Sequence, residues 1–249
     1  MEANQLKINA SKSNYLIFSH KGNKISNLNL TINNITIKQT NTCKYLGIEL
    51  DDKLTWKNHI DRVATKISKA IGILFRIRYY LNKSSLNILL HSLVISKINY
   101  GILCYGRANK TSLKPLNVLL NRALRCINFI GKRDKRTSLI YFDQKVLKIE
   151  DMFNLEIGKL CFKFNNHMLP ESLSKLFVNT YSVHKYNTRN SKYCFYRSKH
   201  FNKSGFRTLN YLGSKLWNEI PTDIKSNTLI YSFKIKYKNY LMQNYRNLK

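Results

Sequence analysis

The stretch Tyr45-Leu-Gly-Ile-Glu-Leu-Asp-Asp-Lys-Leu-Thr-Trp56 marks the point at which the chain changes from a strand pattern to a helix pattern. Residues 45–50 predict a strand, and Asp51-Asp52-Lys53 predicts the solvated turn that ends it. After Trp56 the apolar residues recur at helical spacing instead. The sequence therefore predicts an α+β fold, in which a short β-rich segment (residues 1–56) precedes a mainly helical remainder.

Two shorter strand signals lie upstream of this point. Residues 15–18 form an apolar run that follows a polar stretch, which predicts a strand. The apolar residues at 28, 30 and 32 and at 35 and 37 alternate with polar ones, and Asn33-Asn34 separates the two runs. This pattern predicts a hairpin with a tight turn at the two asparagines.

Downstream, residues 57–80 predict a long helix with Thr55 as its N-cap. The apolar stripe of this helix consists of Ile60, Val63, Ala64, Ile67, Ile71, Leu74 and Phe75. A second helix is predicted from about Ser85 to Val94, and a third over 116–127 with Pro115 in its first turn. The short connections predict a helical bundle over residues 57–131.

The basic run Lys132-Arg-Asp-Lys-Arg136 is the predicted boundary to a basic, mainly helical C-terminal domain, residues 132–249. Within it, residues 152–168 predict a helix stopped by Pro170, and residues 209–217 and 233–245 predict two closing helices.

The charge of the chain points to a polyanionic partner. Its 249 residues include 43 Lys and Arg against 13 Asp and Glu, a formal net charge of +30. Such an excess repels itself unless a polyanion is near, so nucleic acid is the first partner to consider. With 12% aromatic residues the chain also differs from disordered basic tails and is expected to fold.

Other protein classes fit less well. No apolar run approaches the roughly 18 residues of a membrane span, and residues 1–12 lack a signal-peptide core. Five cysteines at wide spacing argue against a secreted disulfide framework. We therefore expect reduced thiols and an intracellular protein, without a distinction between nucleus and cytoplasm, and no membrane partner.

One face of the helix over 57–80 is basic. Opposite the apolar stripe, four cations follow one another over about 20 Å of helix: Arg62, Lys66, Lys69 and Arg76. They are candidate phosphate contacts, and Arg122 and Arg125 extend the argument to the third helix. The alternative is an ordinary solvated surface, but such surfaces usually mix charges, and only Asp61 is acidic here.

Residues 184–203 combine cations, among them Lys185 and Arg189, with aromatic side chains, a pairing typical of single-strand binders. A basic loop anchored to the core by its aromatics explains the same composition. Four residues could in principle share a zinc ion: Cys161, His167, Cys194 and His200. Their spacing matches no common zinc site, so no metal site is predicted.

An ordered series of motifs resembles the LINE-type, jockey-like non-LTR retrotransposon reverse transcriptases. Residues 6–18 are similar to the segment after the catalytic turn of that family, and residues 45–56 to its primer-grip hairpin. The series continues with Ile98-Asn-Tyr-Gly101, Arg122-Ala-Leu-Arg125, Tyr186-Asn-Thr-Arg189 and Leu216-Trp-Asn-Glu-Ile-Pro221. The resemblance implies the end of a palm (1–56), a thumb (57–131) and a C-terminal domain.

The resemblance also implies nucleic-acid contacts at Lys12 and at the hairpin residues Tyr45, Leu46 and Gly47. The family's polymerases hold Mg²⁺ with palm aspartates, because two metal ions must bind the triphosphate and the primer hydroxyl. Both aspartate elements would lie N-terminal to Leu6. Asp51-Asp52 does not follow an aromatic-x pair as the catalytic aspartates do, so we expect no catalytic residue, metal or small-molecule substrate in this chain.

Three functional hypotheses remain. The first is a reverse-transcriptase part that grips an RNA and DNA template–primer, with a palm-containing polypeptide as a second candidate partner. The second is a stand-alone, non-catalytic nucleic-acid-binding module derived from such an element. The third, a basic structural protein of a ribonucleoprotein, does not explain the order of the motifs.

We predict that the purified chain shows no templated DNA synthesis with Mg²⁺ or Mn²⁺, because no metal-binding carboxylate triad is expected from its acids. Incorporation of dNTPs that is abolished by Asp51→Ala and Asp52→Ala would contradict this prediction.

Overall fold

The computed structural model describes residues 8–18, 28–131, 137–183, 194–199, 205 and 208–246. Within these ranges short strands lie in the N-terminal part and helices make up most of the rest, which confirms the α+β expectation. The strands are β1 (Asn14–Tyr15), β2 (Thr31–Ile32), β3 (Ile35–Thr36), β4 (Lys38–Gln39), β5 (Thr42–Tyr45) and β6 (Ile48–Asp51).

The hairpin predicted around Asn33-Asn34 is confirmed. Strands β2 and β3 pair antiparallel, with Ile32 opposite Ile35. Asn33 and Asn34 have φ angles of 49° and 64°, the positive values that a tight primed turn requires at both central positions. The strand predicted over 15–18 is wrong in its extent, since β1 ends at Tyr15, where it pairs in parallel with β4.

The single strand predicted over 45–50 is also wrong. The chain turns back at Leu46 and Gly47, so that β5 and β6 form an antiparallel hairpin with Tyr45 opposite Ile48. Both turn residues have positive φ angles, 45° and 82°. Glycine adopts such angles without steric cost, whereas for leucine they are uncommon. The apolar run therefore belongs to two strands and their turn.

Asp51 ends this hairpin with a buried carboxylate rather than the solvated turn that was expected; the residue is only 7% exposed. Its Oδ1 accepts hydrogen bonds from the N–H groups of Lys53 (3.2 Å) and Thr55 (2.8 Å), and its Oδ2 accepts one from Trp56 (2.8 Å). Leu54 and Trp56 have positive φ angles in the same loop. The Asp51 carboxylate thus shapes the whole connection between hairpin and helix.

The helices are α1 (Lys57–Ile77), α2 (Lys83–Leu90), α3 (Ser96–Asn99), α4 (Ile102–Tyr105), α5 (Lys110–Ile127), α6 (Thr137–Asp143), α7 (Ile149–Asn165), α8 (Thr180–Val183), α9 (Leu209–Glu219), α10 (Thr222–Lys225) and α11 (Ile230–Arg246). Single 3₁₀ turns occur at Ala10–Lys12 and Glu171–Leu173. Among the described residues, no helix is both long and apolar enough to cross a membrane.

Helix α1 buries the predicted stripe with three differences, the first being that Ala64 is only half-buried. Ile60, Val63, Ile67, Ile71 and Leu74 are buried, and so is Ala70, which the prediction omitted. Phe75, predicted to be buried, is 54% exposed. Thr55 is not the N-cap: that position is Trp56, which makes no capping hydrogen bond with its side chain.

The second helix starts earlier than predicted, at Lys83, because the Asn82 side chain caps it through the N–H of Ser85. It continues through a π-helical turn, His91–Ile95, into α3, and the N–H of Ser96 bonds to the carbonyl of His91. The third predicted helix, α5, begins at Lys110, so Pro115 lies in its second turn and not in its first.

The C-terminal helices follow the predictions approximately. Helix α7 ends at Asn165, and His167 then adopts a positive φ of 54°, so the helix stops before Pro170 rather than because of it. Helices α9 and α11 agree with the predicted closing helices. The Tyr245 hydroxyl donates a hydrogen bond to Asp151 and accepts one from the Lys148 N–H (2.8 Å), which ties α11 to α7.

One hydrophobic core joins helices from both sides of the basic run 132–136. It extends from Ile60 on α1 to Tyr245 on α11 and includes a stack of Phe177, Phe195 and Trp217. The run itself lies outside the described residues. The domain boundary there stays a prediction.

The first structural prediction concerns Asp51. Because Asp51→Ala leaves three backbone N–H groups without their acceptor, we expect the free energy of unfolding to fall by about 2–3 kcal/mol. Urea unfolding followed by circular dichroism measures the change.

Asp52→Ala is the matched control. It removes the neighbouring carboxylate, which makes no hydrogen bond within the described part of the chain, and is expected to change stability by less than about 0.5 kcal/mol. Equal effects of the two substitutions would contradict the structural role of Asp51.

Candidate nucleic-acid interface

The β5–β6 hairpin is docked on the junction between α3 and α4. The Tyr100 hydroxyl donates a hydrogen bond to the carbonyl of Leu46 at the hairpin turn. Gly101 has a φ of 67°, and a Cβ there would lie 2.5 Å from Cδ1 of Ile48. Two of the motifs that carry the family resemblance, one at 45–48 and the other at 98–101, therefore contact each other.

A buried histidine lies beneath this hairpin. His59 is 3% exposed, its Nδ1 accepts a hydrogen bond from the N–H of Glu49 (3.3 Å), and its ring meets that of Tyr105 edge-on at 5.0 Å. Desolvation by burial lowers the pKa of His59, and the neighbouring Glu49 carboxylate opposes that shift. The neutral ring, with Nδ1 as acceptor, is thus the form that supports the hairpin.

The hairpin turn presents the predicted contact residues to solvent. Tyr45 is 65% and Leu46 is 72% exposed, and Gly47 is exposed as well. Gly47 leaves room for the Tyr100 hydroxyl, which would lie 3.2 Å from a Cβ at that position. The turn is accessible, although its base is packed and hydrogen-bonded.

The four cations predicted on α1 differ in their surroundings. Arg62 is half-buried and forms an ion pair with Glu49 on β6, so its guanidinium holds the hairpin against the helix. Lys66, Lys69 and Arg76 are exposed, and none of them forms an ion pair within the described part of the chain. Phosphate contact by these residues stays a prediction.

The remaining predicted contacts are spread over the molecule. Lys12 is exposed at the end of the first 3₁₀ turn, Arg122 is exposed on α5, and Arg125 is half-buried on the same helix. Lys185 and Arg189 lie outside the described residues, as does most of the segment 184–203. Of its aromatic residues, Phe195 and Tyr196 are described; Phe195 is buried in the core and Tyr196 is half-buried.

No three His, Cys, Asp or Glu side chains converge on a possible metal position in the described ranges. Both oxygens of Asp51 accept backbone hydrogen bonds. Cys161 is buried, which raises the pKa of its thiol, whereas His167 is exposed. Because His200 lies outside the described residues, the absence of a shared zinc site stays a prediction.

Three residues that complete this arrangement were missed by the sequence reasoning: Glu49, His59 and Tyr100. Glu49 and Arg62 are 13 residues apart, and Tyr100 and Leu46 are 54 apart, so no local periodicity links them. The sequence signals that could have indicated these turns are Tyr45-Leu-Gly47 and Tyr100-Gly101. Both glycines have positive φ angles in the structure.

Comparison with known proteins confirms the resemblance. The chain is 29% identical over 173 residues to the RNA-directed DNA polymerase from mobile element jockey of Drosophila melanogaster, which covers 68% of this chain and 18% of that protein. It is 31% identical over 150 residues to the jockey polymerase of Drosophila funebris, covering 59% and 16% of the two chains.

A third relative is the probable RNA-directed DNA polymerase from transposon X-element of Drosophila melanogaster, 25% identical over 164 residues, or 65% of this chain and 17% of that one. The chain thus spans less than one fifth of the length of these curated relatives. No protein-family profile and no solved structure matches it.

The second structural prediction tests the docked hairpin. Gly101→Ala should lower the free energy of unfolding by about 1–3 kcal/mol, because alanine is strained at a positive φ and its Cβ would meet Ile48. Urea unfolding measures the loss.

Gly72→Ala is the matched control, since nothing lies within 4 Å of a Cβ at that helical position. Alanine favours a helix over glycine by about 1 kcal/mol, so this variant should be at least as stable as the parent. A Gly101→Ala protein of parental stability would contradict the close packing.

Proposed function

We propose that this chain is the template–primer-binding part of an RNA-directed DNA polymerase of the non-LTR retrotransposon class. In this proposal residues 1–56 end the palm, residues 57–131 form the thumb and residues 132–249 form the C-terminal domain. The observation that carries it is the hairpin at 42–51, which is fixed to the start of a helix with exposed cations and has its turn exposed to solvent.

Rigid attachment of the hairpin favours binding, because residues that are already held in place lose little conformational entropy when they bind a ligand. The hairpin is held to α1 by the Glu49–Arg62 ion pair and by the hydrogen bond to His59. Tyr100 holds the turn itself. An accessible turn and a helix surface are thereby kept in one fixed relation.

The exposed cations of α1 suit a nucleic-acid backbone. By the 3.6-residue turn, Lys66, Lys69 and Arg76 fall within about 80° of the helix circumference and extend over about 15 Å. Duplex DNA carries one negative charge per about 1.7 Å of its axis, so several phosphates lie within reach of such a row. Counterion release would then contribute to binding without sequence preference.

The chemistry of polymerisation is proposed to come from elsewhere. Asp51 belongs to the Asp51-Asp52 pair, the candidate metal ligands of this chain, but its carboxylate oxygens already accept hydrogen bonds from three backbone N–H groups. We therefore assign Mg²⁺ binding to the aspartates of a palm-containing polypeptide and template–primer binding to this chain.

A second candidate is a stand-alone, non-catalytic nucleic-acid-binding module. It is favoured by the single core that unites α1 with α11, because a chain with its own core is able to fold by itself. Both functions use the same binding residues. They differ in whether a palm-containing polypeptide gains template–primer affinity when this chain is added.

The third structural prediction concerns the row on α1. Lys66→Ala and Lys69→Ala should each weaken binding to any primer–template duplex and reduce the slope of log K against log salt by about 0.9, the value for one lost phosphate contact. A salt titration of fluorescence anisotropy gives the slope.

Lys234→Ala, which removes an exposed lysine from α11, is the control for a general loss of charge. Arg62→Ala should instead lower the melting temperature, since it leaves Glu49 without its partner. Slopes for Lys66→Ala and Lys69→Ala that equal that of Lys234→Ala would contradict a role for this row.

A further inference from the structure

Three aromatic rings surround the guanidinium of Arg78 where α1 ends. The Cζ atom of Arg78 lies 4.2 Å from the ring centroid of Phe75, 4.7 Å from that of Tyr79 and 5.1 Å from that of Phe129. The rings of Tyr79 and Phe129 are themselves 5.4 Å apart and tilted by 58°. We call Phe75, Arg78, Tyr79 and Phe129 the aromatic cluster.

All three rings of the cluster are open to solvent. Phe75 is 54% exposed, Tyr79 is 69% exposed and Phe129 is 53% exposed. Single exposed apolar residues are ordinary, but adjacent large rings that each expose more than half of their surface are characteristic of a binding surface. This cluster accounts for the exposure of Phe75, which its helical spacing had placed in the core.

Hydrogen bonds between the end of α1, the start of α2 and the end of α5 hold the cluster in place. The Arg78 guanidinium donates hydrogen bonds to the hydroxyl of Tyr79 (2.6 Å) and to the carbonyl of Cys126 at the end of α5 (3.4 Å). Lys83 donates to the carbonyl of Ile127 (3.2 Å) and to the side chain of Asn128. Phe129 has a φ of 56°, an uncommon conformation for a bulky residue, which turns the chain at this point.

The surroundings of the rings are cationic. The hydrogen bonds of Arg78 and Lys83 go to carbonyl, hydroxyl and amide oxygens, and within the described ranges neither residue pairs with a carboxylate. Arg76 is exposed one residue after Phe75.

We propose that the aromatic cluster is a stacking site for unpaired bases of single-stranded nucleic acid. Aromatic rings and guanidinium planes are the groups on which unpaired bases stack, with little preference among bases, while nearby cations bind the phosphates. An apolar protein partner would cover the rings but leave the cations without anions. The inference rests on the proposed function, which it deepens by naming a site and its ligand.

The position of the cluster on α1 connects it with the cationic row. Lys66 and Tyr79 are 13 residues apart on or next to one helix, about 20 Å at 1.5 Å per residue. A backbone bound along Lys66, Lys69 and Arg76 would lead toward the cluster. In this arrangement the duplex lies along the cationic row, and the bases that stack on the cluster belong to the single-stranded extension of that duplex.

The experiment separates stacking from phosphate binding. The full chain is titrated with a labelled single-stranded oligonucleotide of about 12 nucleotides and with an abasic sugar–phosphate chain of the same length. We expect the parent to prefer the base-containing strand. Tyr79→Ala and Phe129→Ala should each bind it about tenfold more weakly, with unchanged affinity for the abasic chain. Ribose and deoxyribose versions show which strand is preferred.

Two further variants serve as controls. Tyr231→Ala removes a ring on α11 that is 72% exposed and should behave as the parent does. Phe129→Tyr keeps an aromatic ring and should retain the preference for bases, and unchanged affinity of Phe129→Ala for the abasic chain shows that this variant is folded.

The results distinguish the two proposals. If the parent binds both strands equally, or if Tyr79→Ala and Phe129→Ala lose affinity for both strands alike, the stacking site is refuted while the proposed function stands. If the parent binds neither these strands nor a primer–template duplex, both are refuted.

Discussion

Three backbone N–H groups converge on the Asp51 carboxylate, and the relation of the hairpin to α1 depends on that convergence. The loop it shapes is only five residues long and includes two residues with positive φ, so the carboxylate determines both where α1 begins and which way it points. With that direction fixed, Arg62 reaches Glu49 and His59 fits beneath the hairpin. The surface proposed to bind nucleic acid therefore depends on how one helix begins.

Several of the 13 acidic side chains take part in the fold. Glu49 pairs with Arg62, Glu156 pairs with Lys159, and Asp151 accepts the Tyr245 hydroxyl, all within the molecule. These acids are occupied by internal contacts, whereas many cations, among them Lys66, Lys69 and Arg76, are exposed. A surface of this kind gains from a polyanion, which would remove its self-repulsion.

Features determined by neighbouring residues were predicted correctly from the sequence. Features that depend on residues distant in the sequence were not. Asn33-Asn34 suits a primed turn by itself, so that hairpin was predicted correctly. The turn at Leu46-Gly47 lies in an apolar run typical of a strand, and it is stabilised by Tyr100, 54 residues away. Likewise, the helical spacing of Lys66 and Lys69 predicted a basic face of α1. The ion pair of Arg62 was not predicted, because its partner Glu49 lies on the hairpin, 13 residues earlier.

The π-helical turn at His91–Ile95 has a consequence for how this chain could change in evolution. Such a turn accommodates one residue more than the regular helix would hold. Upstream of it, Leu86 and Leu90 face the core; downstream, Tyr100 holds the hairpin. Deleting one residue within this turn would restore a regular helix and leave Leu90 and Tyr100 in nearly the same relation, whereas deleting one residue from α3 would rotate Tyr100 by about 100° and carry it away from the Leu46 carbonyl. In evolution, a single-residue deletion should therefore be tolerated at His91–Ile95 and excluded from Ser96–Asn99.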